Sequence, residues 1–194
     1  MDSGERFSSE GTYWSPLETA RNIVEGWGDA GDLSTGTEQK WADKNWLNVP
    51  GPFYTGETDD GMNGPVYAPG LILCGGEYGM EFIYHQPSSP REVGLLLEAA
   101  WGDPMGGYAW DGDERWTPEL IRTWWEGRAR VSEWIVAERK RCSESSNQLD
   151  RDAIPYLRRF AVSLGSDLEC YLRGYTFRLL EGRDPEPDEQ LPLL

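Results

Sequence analysis

Three Ser-Pro or Thr-Pro pairs set the points at which helices can begin in this 194-residue chain. They are Ser15-Pro16, Ser89-Pro90 and Thr117-Pro118. The hydroxyl residue suits the capping position, and proline, which has no N–H to leave unpaired, suits the first helical position. A glutamate three residues after Ser15 and after Ser89 completes a capping box at both places. The pattern predicts helices over about 15–27, 90–101 and 118–141, of which the last is the longest.

Further helices are predicted in both halves of the chain. A short one is expected over 37–46. Two more follow a polar linker at 143–148. The second of these is opened by Ser166, with Glu169 three residues on, and is closed by Gly182. The two helices of this C-terminal pair are expected over 153–164 and 166–181.

The best evidence for strands lies in two β-prone runs, Leu-Ile-Leu-Cys at 71–74 and Met-Glu-Phe-Ile-Tyr at 80–84. The glycine-rich residues 75–79 separate them, so we expect a hairpin with a five-residue connection. A third strand is predicted at Val66-Tyr67, and an edge strand at Phe53-Tyr54. The fold class is therefore α+β, with a small antiparallel sheet around 66–85, four to six helices and a helical C-terminal layer.

The domain boundaries follow from composition. Residues 1–14 are rich in Ser, Gly and Glu and are predicted to be disordered, and 184–194 form an acidic, proline-rich tail. A single domain is expected over 15–183.

Negative charge is concentrated in the first part of the chain. Residues 1–114 carry twenty Asp and Glu against five Lys and Arg, a net of −15, whereas 115–194 carry fourteen against thirteen. This balance argues against nucleic acid and anionic membranes as partners, because both would be repelled. It favours a basic protein partner, and its alternative role is to keep an aromatic-rich surface soluble.

The sequence also predicts a cytoplasmic protein. It contains no run of about 18 apolar residues, and its N-terminus is polar and acidic where a signal peptide would be basic and then apolar. The three cysteines at 74, 142 and 170 are odd in number and far apart, which fits reduced, structural thiols.

No catalytic motif is present. His85 is the only histidine, so the usual metal site of two or three imidazoles cannot be built. The glycines at 75, 76 and 79 match neither a phosphate loop nor a dinucleotide fingerprint, and no Gly-x-Ser-x-Gly elbow occurs. The acidic loops lack the alternating ligands of an EF-hand. We therefore predict no catalytic residue, no metal and no cofactor.

Aromatic residues in or beside two acidic loops, 48–64 and 103–114, are the candidate binding residues. Aromatics enriched at a surface mark interfaces, since each buries a large area at low entropic cost; packing within the loops is the competing explanation. The predicted binding residues are the aromatics Trp46, Phe53, Tyr54, Tyr108, Trp110 and Trp116 and the acids Asp59, Asp60, Glu77, Asp111 and Asp113.

Three segments resemble a family of small, largely uncharacterised actinobacterial proteins, over roughly 40–185. They are Trp-Leu-Asn-Val-Pro-Gly-Pro-Phe-Tyr at 46–54, Gly-Gly-Glu-Tyr at 75–78 and Asp-Gly-Asp-Glu-Arg-Trp-Thr-Pro-Glu-Leu at 111–120. Some members of that family are labelled ferredoxins. An iron–sulfur cluster needs about four thiolates, and three scattered cysteines do not supply them. The chain is also similar in style to immunity proteins of polymorphic toxins, being small, acidic and aromatic-rich.

The predicted function is that of a non-catalytic, immunity-like protein whose acidic and aromatic loops cover a basic site on a protein partner, with a toxin as the candidate partner. One alternative is a small enzyme or ligand-binding protein of specialised metabolism that takes a small molecule. Its pocket would be lined by Trp46, Tyr54, Glu77, Tyr84, His85 and Trp110. A second alternative is a DNA mimic, whose carboxylates would occupy phosphate positions on a nucleic-acid-binding protein.

Overall fold

A computed structural model describes residues 13–27, 33, 35–61, 63–76 and 78–194. The described residues form nine helices and four short strands. The helices are α1 (Leu17–Glu25), α2 (Thr37–Ala42), α3 (Asn63–Tyr67), α4 (Pro90–Gly102), α5 (Gly112–Arg115), α6 (Pro118–Glu126), α7 (Arg128–Glu144), α8 (Gln148–Ser163) and α9 (Leu168–Glu181). The strands are β1 (Tyr54–Thr55), β2 (Ile72–Cys74), β3 (Glu81–Ile83) and β4 (Tyr108–Ala109).

The predicted hairpin is confirmed and lies at the centre of the fold. Strand β2 pairs antiparallel with β3, with Ile72 opposite Ile83 and Leu73 opposite Phe82. Successive side chains of a strand point to opposite faces of the sheet. Ile72 and Ile83 therefore pack on one core cluster with α1 and α4, while Leu73 and Phe82 pack on a second cluster with α6 to α9. Both faces of the hairpin are buried, which explains its continuous apolar runs.

The C-terminal helical layer is confirmed, with two corrections to its boundaries. Helix α8 begins at Gln148, so the linker predicted over 143–148 is shorter than expected. The helix predicted over 118–141 is two helices, α6 and α7, which meet at Gly127. Glycine has low helix propensity, and the guanidinium group of Arg128 donates a 2.9 Å hydrogen bond to the carbonyl oxygen of Trp125. This bond satisfies a carbonyl in the last turn of α6, so a break there is tolerated.

The strand predicted at Val66-Tyr67 is wrong, because both residues belong to helix α3. Pro65 is tolerated there since it stands in the first turn, where a backbone N–H has no helical partner. The N–H of Gly64 instead donates to the buried carboxylate of Glu81, at 2.5 Å. This bond joins the first turn of α3 to strand β3.

The irregular segment before β1 is held by a buried side-chain amide. Asn48 is 1% exposed. Its Oδ1 accepts from the N–H and hydroxyl of Thr55 and from the N–H of Ile83, and its Nδ2 donates to the carbonyl oxygens of Asn45 and Thr55. This one side chain thus joins β1 and β3, which belong to different sheets.

Both ends of the described structure pack against α9. Residues 1–12 of the segment predicted to be disordered lie outside the described residues, but Tyr13 is buried against Tyr171 and Tyr175. In the tail, Asp184 accepts a 3.0 Å hydrogen bond from the N–H of Ser15. Arg173 donates to the carbonyl oxygens of Leu191 and Pro192, both at 2.9 Å. The acidic, proline-rich tail therefore lies on the body of the protein.

Replacement of Asn48 tests the role of this amide. Asn48→Ala removes hydrogen bonds at both of its polar atoms and leaves buried backbone groups of Thr55 and Ile83 without a side-chain partner. We expect the free energy of unfolding to fall by about 2–4 kcal/mol, measured by urea denaturation. Asn22→Ala, at an exposed position of α1, is the matched control and should change it by less than about 0.5 kcal/mol. An equal effect of the two substitutions would contradict the role assigned to Asn48.

Candidate functional site

Most of the aromatic residues predicted to bind a partner lie in the interior. Phe53, Tyr54, Tyr108 and Trp116 are each no more than 6% exposed. The expectation that they face a partner is wrong, because they form the core contacts of the loops that carry them. Trp46 and Trp110 are half-buried against the two core clusters.

Two of the predicted acids interact with side chains of the protein itself. Asp111 accepts a 2.7 Å hydrogen bond from the hydroxyl of Tyr54 and forms a 2.8 Å ion pair with Arg115. The hydrogen bonds from Tyr54 and Arg115 outweigh the effect of burial and lower the pKa of Asp111. Asp113 is half-buried, and burial raises its pKa against the opposing charge of Arg178. Reversal of either charge would disturb the fold, not only a surface.

Asp59 and Asp60 lie in the first acidic loop, and Glu77 lies outside the described residues. Asp59 is half-buried and caps its own turn, since its Oδ1 accepts from the N–H of Gly61 at 3.1 Å. Asp60 is exposed.

Asp103 ties the two acidic loops together. Its carboxylate is 7% exposed and accepts hydrogen bonds from the N–H groups of Asp59, Met105 and Gly107. The close approach also requires Gly107, because a Cβ there would lie 2.1 Å from the carbonyl oxygen of Glu57. The loops 56–61 and 103–107 therefore form one continuous surface.

A second buried carboxylate lies beneath this surface. Glu81 is 1% exposed and accepts from the hydroxyl of Tyr108 and the N–H of Gly64, both at 2.5 Å. Burial raises the pKa of Glu81, although both of these hydrogen bonds oppose the rise. Burial also raises the pKa of Tyr108. The pair links α3, β3 and β4, and neither Glu81 nor Tyr108 lines the cavity between α3, β2, α7 and α8.

Three tyrosines, Tyr13, Tyr171 and Tyr175, pack together along α9. The hydroxyl group of Tyr171 is buried without a hydrogen-bond partner among the described residues. The hydroxyl group of Tyr175 lies beside the carboxylate of Asp113 and acts to lower its pKa. The rings of Tyr171 and Tyr175 stack with centroids 6.3 Å apart, so Tyr171 is held by ring packing and not by its hydroxyl group.

Sequence reasoning missed the side chains that do form an exposed apolar surface. Tyr67, Trp101 and Met105 are 48%, 67% and 57% exposed. The ring of Tyr67 reaches Gly102, the residue after Trp101, and Met105 follows three residues later in the turn that Asp103 holds. The sequence pattern assigned Tyr67 to a strand and placed Trp101 at the end of the buried stripe of α4.

Exposed acids lie on helix α4, which carries Trp101, and on the loop that is bonded to the turn of Met105. Glu57 and Asp60 come from the loop that Asp103 fastens to residues 103–107, and Glu98 lies one turn before Trp101 on α4. We call the six residues Glu57, Asp60, Tyr67, Glu98, Trp101 and Met105 the acidic-aromatic patch.

The described residues predicted to line an alternative pocket are each buried or half-buried. Tyr54 and Tyr84 are buried, and His85 is half-buried beside Tyr84. Burial lowers the pKa of His85, and the charge of Arg159 lowers it further. A cavity of about 520 Å³ lies elsewhere, between α3 and β2 on one side and α7 and α8 on the other. None of the described residues of the predicted pocket lines it.

Within the described ranges, no group of three or more His, Cys, Asp or Glu side chains is arranged to hold a metal ion. The same part of the chain contains no helix that is both long and apolar enough to cross a bilayer.

The buried tyrosines give a matched test of which hydroxyl groups matter. Tyr54→Phe removes a hydrogen bond to a charged carboxylate and should lower the free energy of unfolding by about 1.5–3 kcal/mol. Tyr171→Phe removes a hydroxyl group that has no partner and should change it by less than about 0.5 kcal/mol. Both are measured by urea denaturation. A loss above 1 kcal/mol in Tyr171→Phe would show that its hydroxyl group is paired.

The pH dependence of stability tests the environment of Glu81. Because its pKa is raised in the folded state, its contribution is fully present below the unfolded pKa of glutamate and is lost as the pH rises through the folded pKa. Glu81→Gln mimics the protonated form. The variant should gain stability relative to the wild type as the pH rises through that window, in urea titrations at a series of pH values. Glu57→Gln, at an exposed position, is the control, and its free energy of unfolding should change with pH as that of the wild type does. The same pH dependence in Glu81→Gln would refute the raised pKa of Glu81.

Comparison with known proteins found no matching family model, no matching curated protein and no matching solved structure.

Proposed function

We propose that this chain is a cytoplasmic, non-catalytic binding protein whose acidic-aromatic patch covers a basic site on a protein partner. The observation that carries the proposal is the exposure of Tyr67, Trp101 and Met105 beside loops that contain no basic side chain. The predicted mode of binding is kept, but the residues assigned to it are different.

The apolar part of the patch supports a protein partner. Tyr, Trp and Met are enriched in the cores of protein interfaces, and an exposed cluster of them on a folded protein marks an interaction site. Trp101 contacts Trp27, with ring centroids 6.1 Å apart, so its ring is supported from one side while most of its surface remains open. A supported aromatic ring loses little entropy when a partner covers it, which is typical of a binding hot spot.

The charge of the surrounding chain supports a basic partner. Residues 45–114 contain eleven Asp and Glu and one basic residue, Arg91. Buried Glu81 and Asp103 and the internally bonded Asp111 belong to that number, whereas Glu57, Asp60 and Glu98 remain exposed. A surface of one sign steers an oppositely charged partner and raises the association rate. A basic toxin, as the similarity to immunity proteins implies, has the required chemistry.

The DNA-mimic alternative has less support. A mimic presents regularly placed carboxylates to a groove that binds phosphates, and apolar groups are not needed there. Three large apolar side chains at the centre of the acidic surface fit a protein interface better.

Substitutions in the patch test the proposal. Trp101→Ala and Asp60→Lys are compared with Val162→Ala on α8 and Glu133→Lys on α7, which change an exposed apolar and an exposed acidic residue of the helical layer. A protein captured from cells of the source organism by the wild type and both controls should be lost with the two patch variants. All five proteins should have the same melting temperature.

The captured protein is then purified and its binding kinetics are measured by surface plasmon resonance. Asp60→Lys should slow association several-fold and reduce its dependence on salt. Trp101→Ala should speed dissociation by about tenfold or more. Capture that is unchanged by both patch variants, or an absence of any stoichiometric protein with the wild type, would contradict the proposal.

A further inference from the structure

The cavity of about 520 Å³ between α3, β2, α7 and α8 borders the outer edge of the central hairpin. All three residues of β2 line it, although Leu73 points to the opposite face of the sheet from Ile72 and Cys74. None of the three residues of the paired strand β3 lines it. A cavity that contacts both faces of one strand and misses its neighbour lies at the free edge of that strand.

The register of the hairpin shows which backbone groups of β2 point outward. In an antiparallel pair, residues that bond to the partner strand alternate with residues whose N–H and C=O point away from it. The carbonyl oxygen of Leu71 accepts from the N–H of Tyr84 at 3.0 Å, and the N–H of Gly75 donates across the hairpin at 2.9 Å. The odd-numbered residues therefore face β3, so the backbone groups of Ile72 and Cys74 point to the opposite edge.

The outward backbone groups of Cys74 are open. The N–H of Ile72 is bonded, since it donates to the carbonyl oxygen of Ala68 at 3.0 Å. The N–H and the carbonyl oxygen of Cys74 have no hydrogen bond to any of the described residues. Cys74 is also only half-buried. Strand β2 therefore leaves one donor and one acceptor, both on the same residue, at the edge that the cavity borders.

The sequence of β2 lacks the features that usually close a free edge. Natural proteins protect such edges with proline, charged side chains, bulges or a covering segment, because an unpaired edge is a template for another strand. The strand is Ile-Leu-Cys, with no proline and no charge. Only its first residue is closed, by the bond from Ile72 to Ala68.

The walls of the cavity suit an apolar side chain next to that edge. Val66 of α3 and Leu149, Ala153 and Leu157 of α8 are part of the lining. The volume is in the range typical of ligand sites. When a strand is added to a sheet edge, main-chain hydrogen bonds supply affinity and neighbouring pockets select the side chains.

We propose that an extended peptide segment of another protein adds to the outer edge of β2, with two backbone hydrogen bonds to Cys74 and an apolar side chain in the cavity. The edge lies in a recess between α3 and α8, which a single extended segment enters more readily than the sheet edge of a second folded copy. None of the six residues of the acidic-aromatic patch lines the cavity. Occupation of the edge therefore does not depend on the basic partner proposed for the patch.

Amide hydrogen exchange of the full chain, measured by NMR, tests whether the edge is open. The N–H of Cys74 should exchange at least about tenfold faster than that of Gly75, which is bonded across the hairpin. Equal protection of the two groups without any peptide would show that the edge is closed and would overturn the proposal. Protection of Cys74 that grows with protein concentration would assign the edge to a second copy, and would overturn it as well.

Two uncharged peptides test strand addition. They are Ac-Thr-Val-Thr-Val-Thr-NH2 and its analogue with a methyl group on all five backbone nitrogens, which cannot donate to the carbonyl oxygen of Cys74. Binding is followed by the amide chemical shift of Cys74 in the full chain. We expect saturable binding of the parent peptide, slower exchange of the Cys74 N–H, and at least about tenfold weaker binding of the analogue. Equal affinities, or no saturable binding of the parent at millimolar concentration, would contradict strand addition.

Two variants of Cys74 form a matched pair. Cys74→Pro removes the outward N–H without removing a bond to β3, a change that edge strands tolerate. Cys74→Ala keeps both backbone groups. The first should weaken the parent peptide by about tenfold and the second by less than about twofold. Unchanged binding in Cys74→Pro would refute the assigned donor, and if that variant fails to fold, the two peptides on the wild type still decide.

Discussion

The side-chain amide of Asn48 is the interaction on which the central part of the structure depends. The two sheets contain only two strands each, and neither would be stable alone in water. Asn48 bonds to Thr55 in one sheet and to Ile83 in the other, so that the four strands act as one unit. Gln86 has a similar role. Its side-chain amide accepts a hydrogen bond from the N–H of Phe53 and donates to the carbonyl oxygens of Phe53 and Val49. Hydrogen bonds from side-chain amides thus take the place of the backbone hydrogen bonds that would join the strands of a longer sheet.

The carboxylates of the acidic half have two separate uses. Asp103 and Asp111 are internal and fix the geometry of loops that contain few regular hydrogen bonds. Glu57 and Asp60 are exposed and give the same loops their surface charge. The internal set holds the exposed set in place. A net charge counted along the sequence contains both sets, which is why it overstates the charge available to a partner.

Local signals in the sequence predicted the hairpin and the starts of α4 and α6. The caps predicted at Ser15 and Ser166 are wrong, because α1 and α9 begin at Leu17 and Leu168 without a side-chain cap. The capping hydroxyl groups of Ser89 and Thr117 accept bonds from the N–H groups of Glu92 and Leu120, as the Ser/Thr-Pro pattern requires. The position of the aromatic residues could not be predicted in the same way. Whether a loop aromatic such as Tyr108 points inward depends on contacts with residues far along the chain, and here its partner is Glu81. The exposed patch was missed for the same reason.

Helix α3 has only five residues, and it lies between the cavity and the acidic-aromatic patch. Val66 lines the cavity, while the next residue, Tyr67, belongs to the acidic-aromatic patch. Consecutive residues share a backbone, so a substitution at Val66 that reshapes the cavity also shifts the base of the Tyr67 side chain. At this helix the two surfaces cannot be altered independently by mutation.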